Sequence, residues 1–461
     1  MVKLSVFQAY DRALIREVET DSEQDLERKL ARAARAFGDR AGWLKPHQRI
    51  AILEQLALLV EAQRDGFATL IAREGGKPLA DARVEAARAV DGVRNAIDEL
   101  RNFGGREIPM GLTPASEGRW AFTTREPIGV VAAISAFNHP LNLIIHQVVP
   151  AIATGCPVLI KPASTTPLSC LEFVKLVHQA GLSEAWCDTI ITGENSIAEK
   201  LATDPRVAFL SFIGSARVGW SLRSKLPPGT RCALEHGGAA PLLIDREVEL
   251  DSVIEPVVKG GYYHAGQVCV SVQRIFVHEH VHDAFVERLS ERVAALRVGD
   301  PSLAETEVGP LILPREVARV ASWVEEARAA GARITTGGKQ LGETTYQPTV
   351  IVDAPTHVKV SLEEVFGPVT CVYRVSDLAH AIEQANSLPV AFQASVFSKN
   401  LDVALRAAEQ LDASTVLIND HTAFRVDWMP FAGRRHSGYG VGGIGYTMHD
   451  MTQHKMIVLR R

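Results

Sequence analysis

From residue 128 onward, short apolar runs at 130–137, 158–161, 188–192, 207–213 and 242–245 alternate with segments long enough for a helix. A strand covered by helices on both faces is continuously apolar rather than alternating, so this pattern predicts parallel βαβ units. A second series follows Cys269, with strands at 274–277, 332–335 and 394–397 and helices at 282–296 and 378–385. The expected fold class is therefore α/β, two parallel-sheet domains in tandem. The first hundred residues read instead as helices: Ile52, Leu53, Leu56, Leu59 and Val60 form one apolar stripe, and Glu74-Gly75-Gly76-Lys77-Pro78 stops it. A second helical stretch at 82–102 ends at Gly104-Gly105. A Pro-punctuated arm then runs through Arg119, and the last residues form a strand-like tail.

Composition narrows the function. The chain of 461 residues is 46% hydrophobic, enough for two large cores or three smaller ones. Lys and Arg number 49 against 54 Asp and Glu, a net charge of −5 without a polybasic block, which excludes nucleic acid and anionic membrane surfaces as partners. No apolar run is long enough to span a bilayer, and residues 1–10 lack the apolar core of a signal peptide. Six cysteines without CxxC spacing point to a reduced, cytoplasmic chain.

Two short motifs invite misreading. His278-Glu279-His280-Val281-His282 matches HExxH, which holds zinc only on a continuous helix; here it falls at a strand-to-helix junction, so no metal is expected. Gly440 to Gly445 matches GxGxxG, but no strand, helix and downstream acid frame it, and it reads as a glycine turn.

Four other segments carry chemistry. In Gly261–Cys269, small residues let backbone approach a cysteine closely, leaving the Cys269 thiol and N–H open to a ligand. Glu235 closes a segment before Gly237-Gly238, a place for a general base. Asn138, at a strand end before Pro140, offers the neutral N–H donor that an oxyanion needs. Glu364 and Phe366 precede Gly367-Pro368, a carboxylate for a ribose hydroxyl beside a ring for a flat heterocycle.

Together these segments resemble the aldehyde dehydrogenase superfamily from about Asp21 to Arg461. The resemblance rests on Phe137–Pro140, Lys161-Pro162-Ala163-Ser164, Ser211–Ser215, Glu235–Gly238, Gly266–Cys269, Glu363–Pro368 and Pro430–Gly438, in that order. Within the superfamily, GQVC together with FRVD and MPF looks most like the bacterial and archaeal lactaldehyde-type branch. The resemblance implies two Rossmann-like domains: an NAD(P)-binding domain at 1–109 and 128–237 and a catalytic domain at 238–435. It also implies a small β oligomerisation arm, from 110–127 and 448–461, and a dimer or tetramer.

The resemblance further implies that Cys269 attacks an aldehyde, that Asn138 and the Cys269 N–H hold the oxyanion, and that Glu235 activates water to release the acid. Members that pass the acyl group to coenzyme A typically lack that base, so hydrolysis is expected. Lys161, Ser164, Gly214, Ser215, Glu364, Phe366 and Phe137 become the cofactor residues. Ser164 departs from the Glu that many NAD-dependent relatives carry, which permits a 2′-phosphate, with Lys161 and Arg217 as charge partners. Dual use of NAD and NADP, leaning to NADP, is expected. His236 also departs, taking the usual Leu position of its turn.

By the same resemblance His139, Leu143, His146 and Arg425 line the substrate tunnel, and Trp428 either walls it or packs. An Arg with a His suits an anionic tail or a hydroxyl-rich aldehyde. Val268 stands where several enzymes for phosphate- or phosphonate-bearing aldehydes carry Arg, which argues against a dianion. Lactaldehyde or a semialdehyde such as succinate semialdehyde is the first expectation, with phosphonoacetaldehyde and sulfo-aldehydes next. A catalytically silent binding protein on the same fold is the contrasting class, disfavoured because Cys269, Asn138 and Glu235 are all present.

Overall fold

The structure, a computed structural model, describes residues 3–460. A first sheet of six strands runs in the order Gly438–Tyr439, Arg231–Glu235, Val207–Ile213, Val130–Ile134, Val158–Lys161, Cys187–Thr189, parallel except for the edge strand Gly438–Tyr439. Successive residues of Val130–Ile134 feed opposite cores. Val131 and Ala133 pack with Ile144, Ile145 and Phe209 on one face, and Val130, Ala132 and Ile134 pack with Leu26, Leu30 and Leu210 on the other. That two-sided burial is why the run is apolar throughout.

A second sheet of seven strands has the order Arg333–Thr336, Thr349–Val352, Val369–Val375, Val272–His278, Ala240–Ile244, Gln393–Phe397, Thr415–Ile418, with only Arg333–Thr336 antiparallel. Its faces divide in the same way, Leu242 and Ile275 to one core and Leu243 and Phe276 to the other. A third, antiparallel sheet joins Thr452–Arg460, Arg119–Pro127 and Glu107–Ile108, with register unbroken from Thr452↔Pro127 to Arg460↔Arg119.

Two features depart from the sequence reading. The first hundred residues are not all helical: Lys3–Phe7 and Leu14–Glu19 form an antiparallel hairpin. Within it Val6 alone is buried, so no apolar stripe announces the strands. The tail strand begins at Thr452, and Met448 and Met451 sit in the first domain's core with Ile444, Ile144 and Ile145. Chain from Gly438 to Met451 thus packs with the first domain after the second has been built.

Candidate active site

In the first sheet the strand order reverses between Val130–Ile134 and Val207–Ile213, because the chain adds Val158–Lys161 and Cys187–Thr189 on one side before crossing to the other. A crevice opens beyond the carboxyl ends of strands at such a reversal. The turns carrying Asn138, Lys161, Gly214 and Glu235 all lie at those ends. Cys269, Gly237 and Glu364 lie just before the amino ends of Val272–His278, Ala240–Ile244 and Val369–Val375 in the second sheet. Between them is a cavity of about 1190 Å³, lined by all the expected catalytic, cofactor and substrate residues except His146.

The turn that leads to Cys269 is strained. His264, Ala265 and Gly266 have φ of 49°, 54° and 69°, and a Cβ on Gly266 would lie 2.1 Å from the Gly367 carbonyl oxygen. The strain is held by Gln267, whose side chain donates to the Pro310 carbonyl (3.1 Å) and accepts from the Ile312 N–H (2.9 Å). The Gln267 carbonyl accepts from Asn138 Nδ2 at 3.0 Å, tying the Asn138 turn to the cysteine's turn. Glu85 fixes the same Asn turn by accepting the N–H groups of Leu141 (3.0 Å) and Asn142 (3.1 Å), and Lys77 pairs with Glu85 in full burial. Burial, then the carboxylates of Glu364 and Glu235, push the Cys269 thiol up to about 12.

Glu235 ends its strand with its carboxylate against Gly442, where a Cβ would lie 2.1 Å from Oε1. The glycine turn at 440–445 is therefore spacing for a carboxylate, and its Gly443 caps the helix Ile444–Asp450. Burial raises the Glu235 carboxyl above its usual range, and Arg425 opposes the rise. His236, the departure in this turn, donates from Nδ1 to the Gly214 carbonyl (2.8 Å) and packs between Phe212 and Trp220. Gly219 makes room for it, since a Cβ there would stand 2.0 Å from the His236 ring. The Glu235 turn and the Gly214-Ser215 turn are thereby locked together.

The opposite arm of the cavity suits a dinucleotide. Ser215 is exposed and precedes the helix Ala216–Arg223; Lys161, half-buried, makes among the described residues one bond, to the Pro162 carbonyl (3.1 Å). Ser164, Arg217 and Asn195 line the same arm, and no carboxylate replaces Ser164. Phe366 holds φ of +46° and meets Phe137 edge-on at 5.8 Å, giving the cavity an aromatic wall. Glu364 lies over Gly237, where a Cβ would fall 1.9 Å from either carboxylate oxygen, and its buried Oε1 has no partner. Burial pushes this carboxyl up to about 8. An orphaned polar atom beside an aromatic wall is the feature a ribose hydroxyl satisfies.

The substrate arm departs most from expectation. His146 does not line the cavity; it lies behind Arg425, with Nε2 2.7 Å from Asp427 Oδ1 and Nδ1 3.4 Å from Arg425 Nη2. A carboxylate can only accept, so Nε2 carries the proton and Nδ1 accepts from the guanidinium. Burial and Arg425 push His146 down to about 4, so it is neutral. Asp427 is also the partner of Arg88 (2.7 and 3.2 Å) and Asn142 (3.2 Å). Burial works against its charge, but His146 and Arg88 hold its carboxyl well below the usual range. Arg425 stacks on Phe431 at 3.6 Å, its buried Nε has no partner, and among the described residues no carboxylate lies within 4 Å of it. Trp428 neither walls the cavity nor packs; it is 61% exposed.

Sequence reading missed Arg88, Tyr263 and Lys259 as lining residues. For Arg88 a signal existed: Asp81, Val84 and Arg88 follow i, i+3, i+7 on Leu79–Asn102 and face the cavity together. At the HExxH motif, His278 ends a strand and accepts from the His280 N–H (3.1 Å), while His282 is buried against Asp283 (3.0 Å). Among the described residues no cluster of His, Cys, Asp and Glu is arranged to hold a metal ion.

The chain is similar to known proteins along nearly its whole length. The chain is 35% identical over 459 residues to the 3-sulfolactaldehyde dehydrogenase of Priestia aryabhattai, covering 99% of this chain and 95% of that one. It is 32% identical over 420 residues to a lactaldehyde dehydrogenase of Methanococcus vannielii, covering 90% and 88%. The glyceraldehyde-3-phosphate dehydrogenase of Methanocaldococcus jannaschii, solved with NADP, superposes with a TM-score of 0.95 at 30% identity over 99% of both chains. The lactaldehyde-type kinship read from the sequence is among these matches. The family model for the aldehyde dehydrogenase family matches residues 2–457, and the chain belongs to that family.

Proposed function

We propose that the protein oxidises a small polar or anionic aldehyde to its carboxylic acid with NAD(P), and that Arg425 receives the anionic tail. The observation that carries the tail assignment is the guanidinium itself. It lines the cavity half-buried, stacked on Phe431 and oriented by neutral His146, with a buried, unbonded Nε and, among the described residues, no carboxylate within 4 Å. A partly desolvated cation without an ion pair is costly, and an anionic ligand relieves the cost. Asp427 does not neutralise it, being taken up by Arg88 and His146.

In the reaction Cys269, as the thiolate, adds to the aldehyde carbon and the carbonyl π pair moves onto oxygen, where the Asn138 amide and the Cys269 N–H hold the oxyanion. NAD(P), when bound, accepts the hydride that turns this thiohemiacetal into a thioester. Lys161, Ser215 and Glu364 would hold it, with Phe137 and Phe366 against the ring. Glu235 then takes a proton from water, whose oxygen displaces the thiolate and leaves the acid. Because Ser164 brings no carboxylate and Arg217 stands nearby, NADP is the preferred form. A related enzyme solved with NADP supports this preference.

The six free cysteines suit a reducing compartment, and we place the enzyme in the cytoplasm. No described helix is long and apolar enough to cross a membrane. The strands Arg119–Pro127 and Thr452–Arg460 expose Trp120, Met456, Val458 and Leu459, the surface we assign to a second subunit. The test is to incubate enzyme with NADP and succinate semialdehyde or 3-sulfopropanal and follow reduced cofactor and carboxylate. Equal amounts, unaffected by coenzyme A, are expected. Acyl-coenzyme A as the product, or no turnover with either aldehyde, would overturn the reading.

A further inference from the structure

The cavity contains a polar pair that the reaction above does not use. His139 follows Asn138 directly, so its backbone is ~3.8 Å from that of the oxyanion donor, and its Nε2 lies 3.4 Å from the Tyr263 hydroxyl. Both side chains line the cavity. Charged and polar groups flank the pair. The Lys77 and Lys259 ammonium groups stand 5.6 and 4.7 Å from the Tyr263 ring centre. His264, fully buried with neither ring nitrogen bonded, meets His139 edge-on at 6.3 Å.

Burial and the surrounding charges of Lys77, Arg88 and Arg425 keep His139 neutral. A neutral imidazole offers one donor and one acceptor, and a phenol can serve as either. At their separation the two groups make a weak bond to each other and retain capacity for a third hydroxyl between them. Aromatic hydrocarbon at this wall would bind only apolar chain. Asn138, His139 and Tyr263 line the same cavity, so the pair is open to a substrate whose aldehyde oxygen is on Asn138.

We propose that His139 and Tyr263 read the 2-hydroxyl of the substrate, making the preferred substrate a short 2-hydroxyaldehyde with a single negative group at its far end. The far-end part rests on the Arg425 reading above; the hydroxyl part does not. Aldehyde, hydroxyl and anion are then held at three separate points, by Asn138 with Cys269, by His139 with Tyr263, and by Arg425. Val268, 6% exposed and packed with Val270 and Phe431, adds no second cation beside the thiol, consistent with a monoanion. Three-point contact on a fixed wall also selects one enantiomer.

The test is kcat/KM for four three-carbon aldehydes with NADP: propanal, lactaldehyde, 3-sulfopropanal and 3-sulfolactaldehyde. Within each pair, the 2-hydroxyl is expected to raise kcat/KM ~10-fold or more, as sites built to bond a hydroxyl discriminate strongly against its absence. One lactaldehyde enantiomer should outrun the other. Tyr263→Phe and His139→Phe should each bring the hydroxyl ratio close to one, whereas damage to folding alone lowers both members of a pair together. Thermal melting identifies a variant that does not fold, and the other variant then decides. A ratio near one in the wild type, a ratio that survives in the folded variants, or equal rates for both enantiomers would overturn the proposal. A hydroxyl ratio that persists while the sulfonate gives no advantage overturns the Arg425 reading alone.

Discussion

The two arms that meet at Cys269 handle charge in opposite ways. Around the thiol, burial drives acids toward their neutral forms: Cys269 is pushed up to about 12, Glu364 to about 8, and Glu235 above its usual range. In the substrate arm, a neutral His146 and a firmly ionised Asp427 surround two guanidinium groups, which keep their charge whatever the surroundings. Proton-transfer groups need pKa values that can move, and a ligand anchor needs a charge that cannot. Arg425 belongs to both arms, since it also favours the ionised forms of Glu235 and Cys269.

The largest effect that would break this division is at the nucleophile. Cys269→Ala should lower kcat on the order of 10⁴-fold or more at unchanged thermal stability, measured as acid formed per enzyme. Residual turnover within tenfold of wild type would place the chemistry elsewhere. Next comes Asn138→Ala, expected to lower kcat ~10²–10³-fold with a smaller change in KM, because its bond strengthens as the oxyanion forms. Loss confined to KM would make Asn138 a ground-state contact.

The general base sharpens the comparison through pH. In its proposed role Glu235 acts deprotonated, and its carboxyl is raised, so kcat should fall as pH drops through that raised value and level off above it. Arg425→Met removes the cation that opposes the rise, so the falling limb should move to higher pH; a limb that does not move would separate the two arms. Glu235→Gln should lower kcat ~10²–10⁴-fold and leave acyl-enzyme visible by mass spectrometry of the intact protein. The smallest effect is expected at His146→Leu, which leaves Arg425 charged but unoriented. KM for an anionic aldehyde should rise severalfold while a neutral aldehyde is unaffected, about the value of one hydrogen bond.

How much of this was legible in the sequence differs between the arms for a physical reason. The residues of the thiol arm are confined to short turns whose glycines and prolines are visible as spacing: Gly266 before Cys269, Gly237-Gly238 after Glu235, Gly367-Pro368 after Phe366. Strands such as Val207–Ile213 and Val158–Lys161 were legible because both faces are buried. The substrate arm is assembled over long range. Arg88 and Asp427 are 339 residues apart, and His146 reaches Asp427 across 281. Nothing local reveals that Asp427 takes Arg88 rather than Arg425, and so His146 looked like a lining residue. The Lys3–Phe7 hairpin was hidden for another reason: with Val6 its one buried side chain, its pairing is mostly backbone.

The most direct test of the divided cavity is the ratio of kcat/KM for 3-sulfopropanal to that for butanal, in the wild type and in Arg425→Met. A guanidinium without an ion pair predicts a wild-type ratio of ~10 or more, about 1.4 kcal/mol of transition-state binding, that falls to about one in the variant while butanal turnover shifts only in its pH profile. A ratio near one in the wild type, or one that Arg425→Met leaves intact, would show that the anion is held elsewhere and that Arg425 belongs to the thiol arm alone.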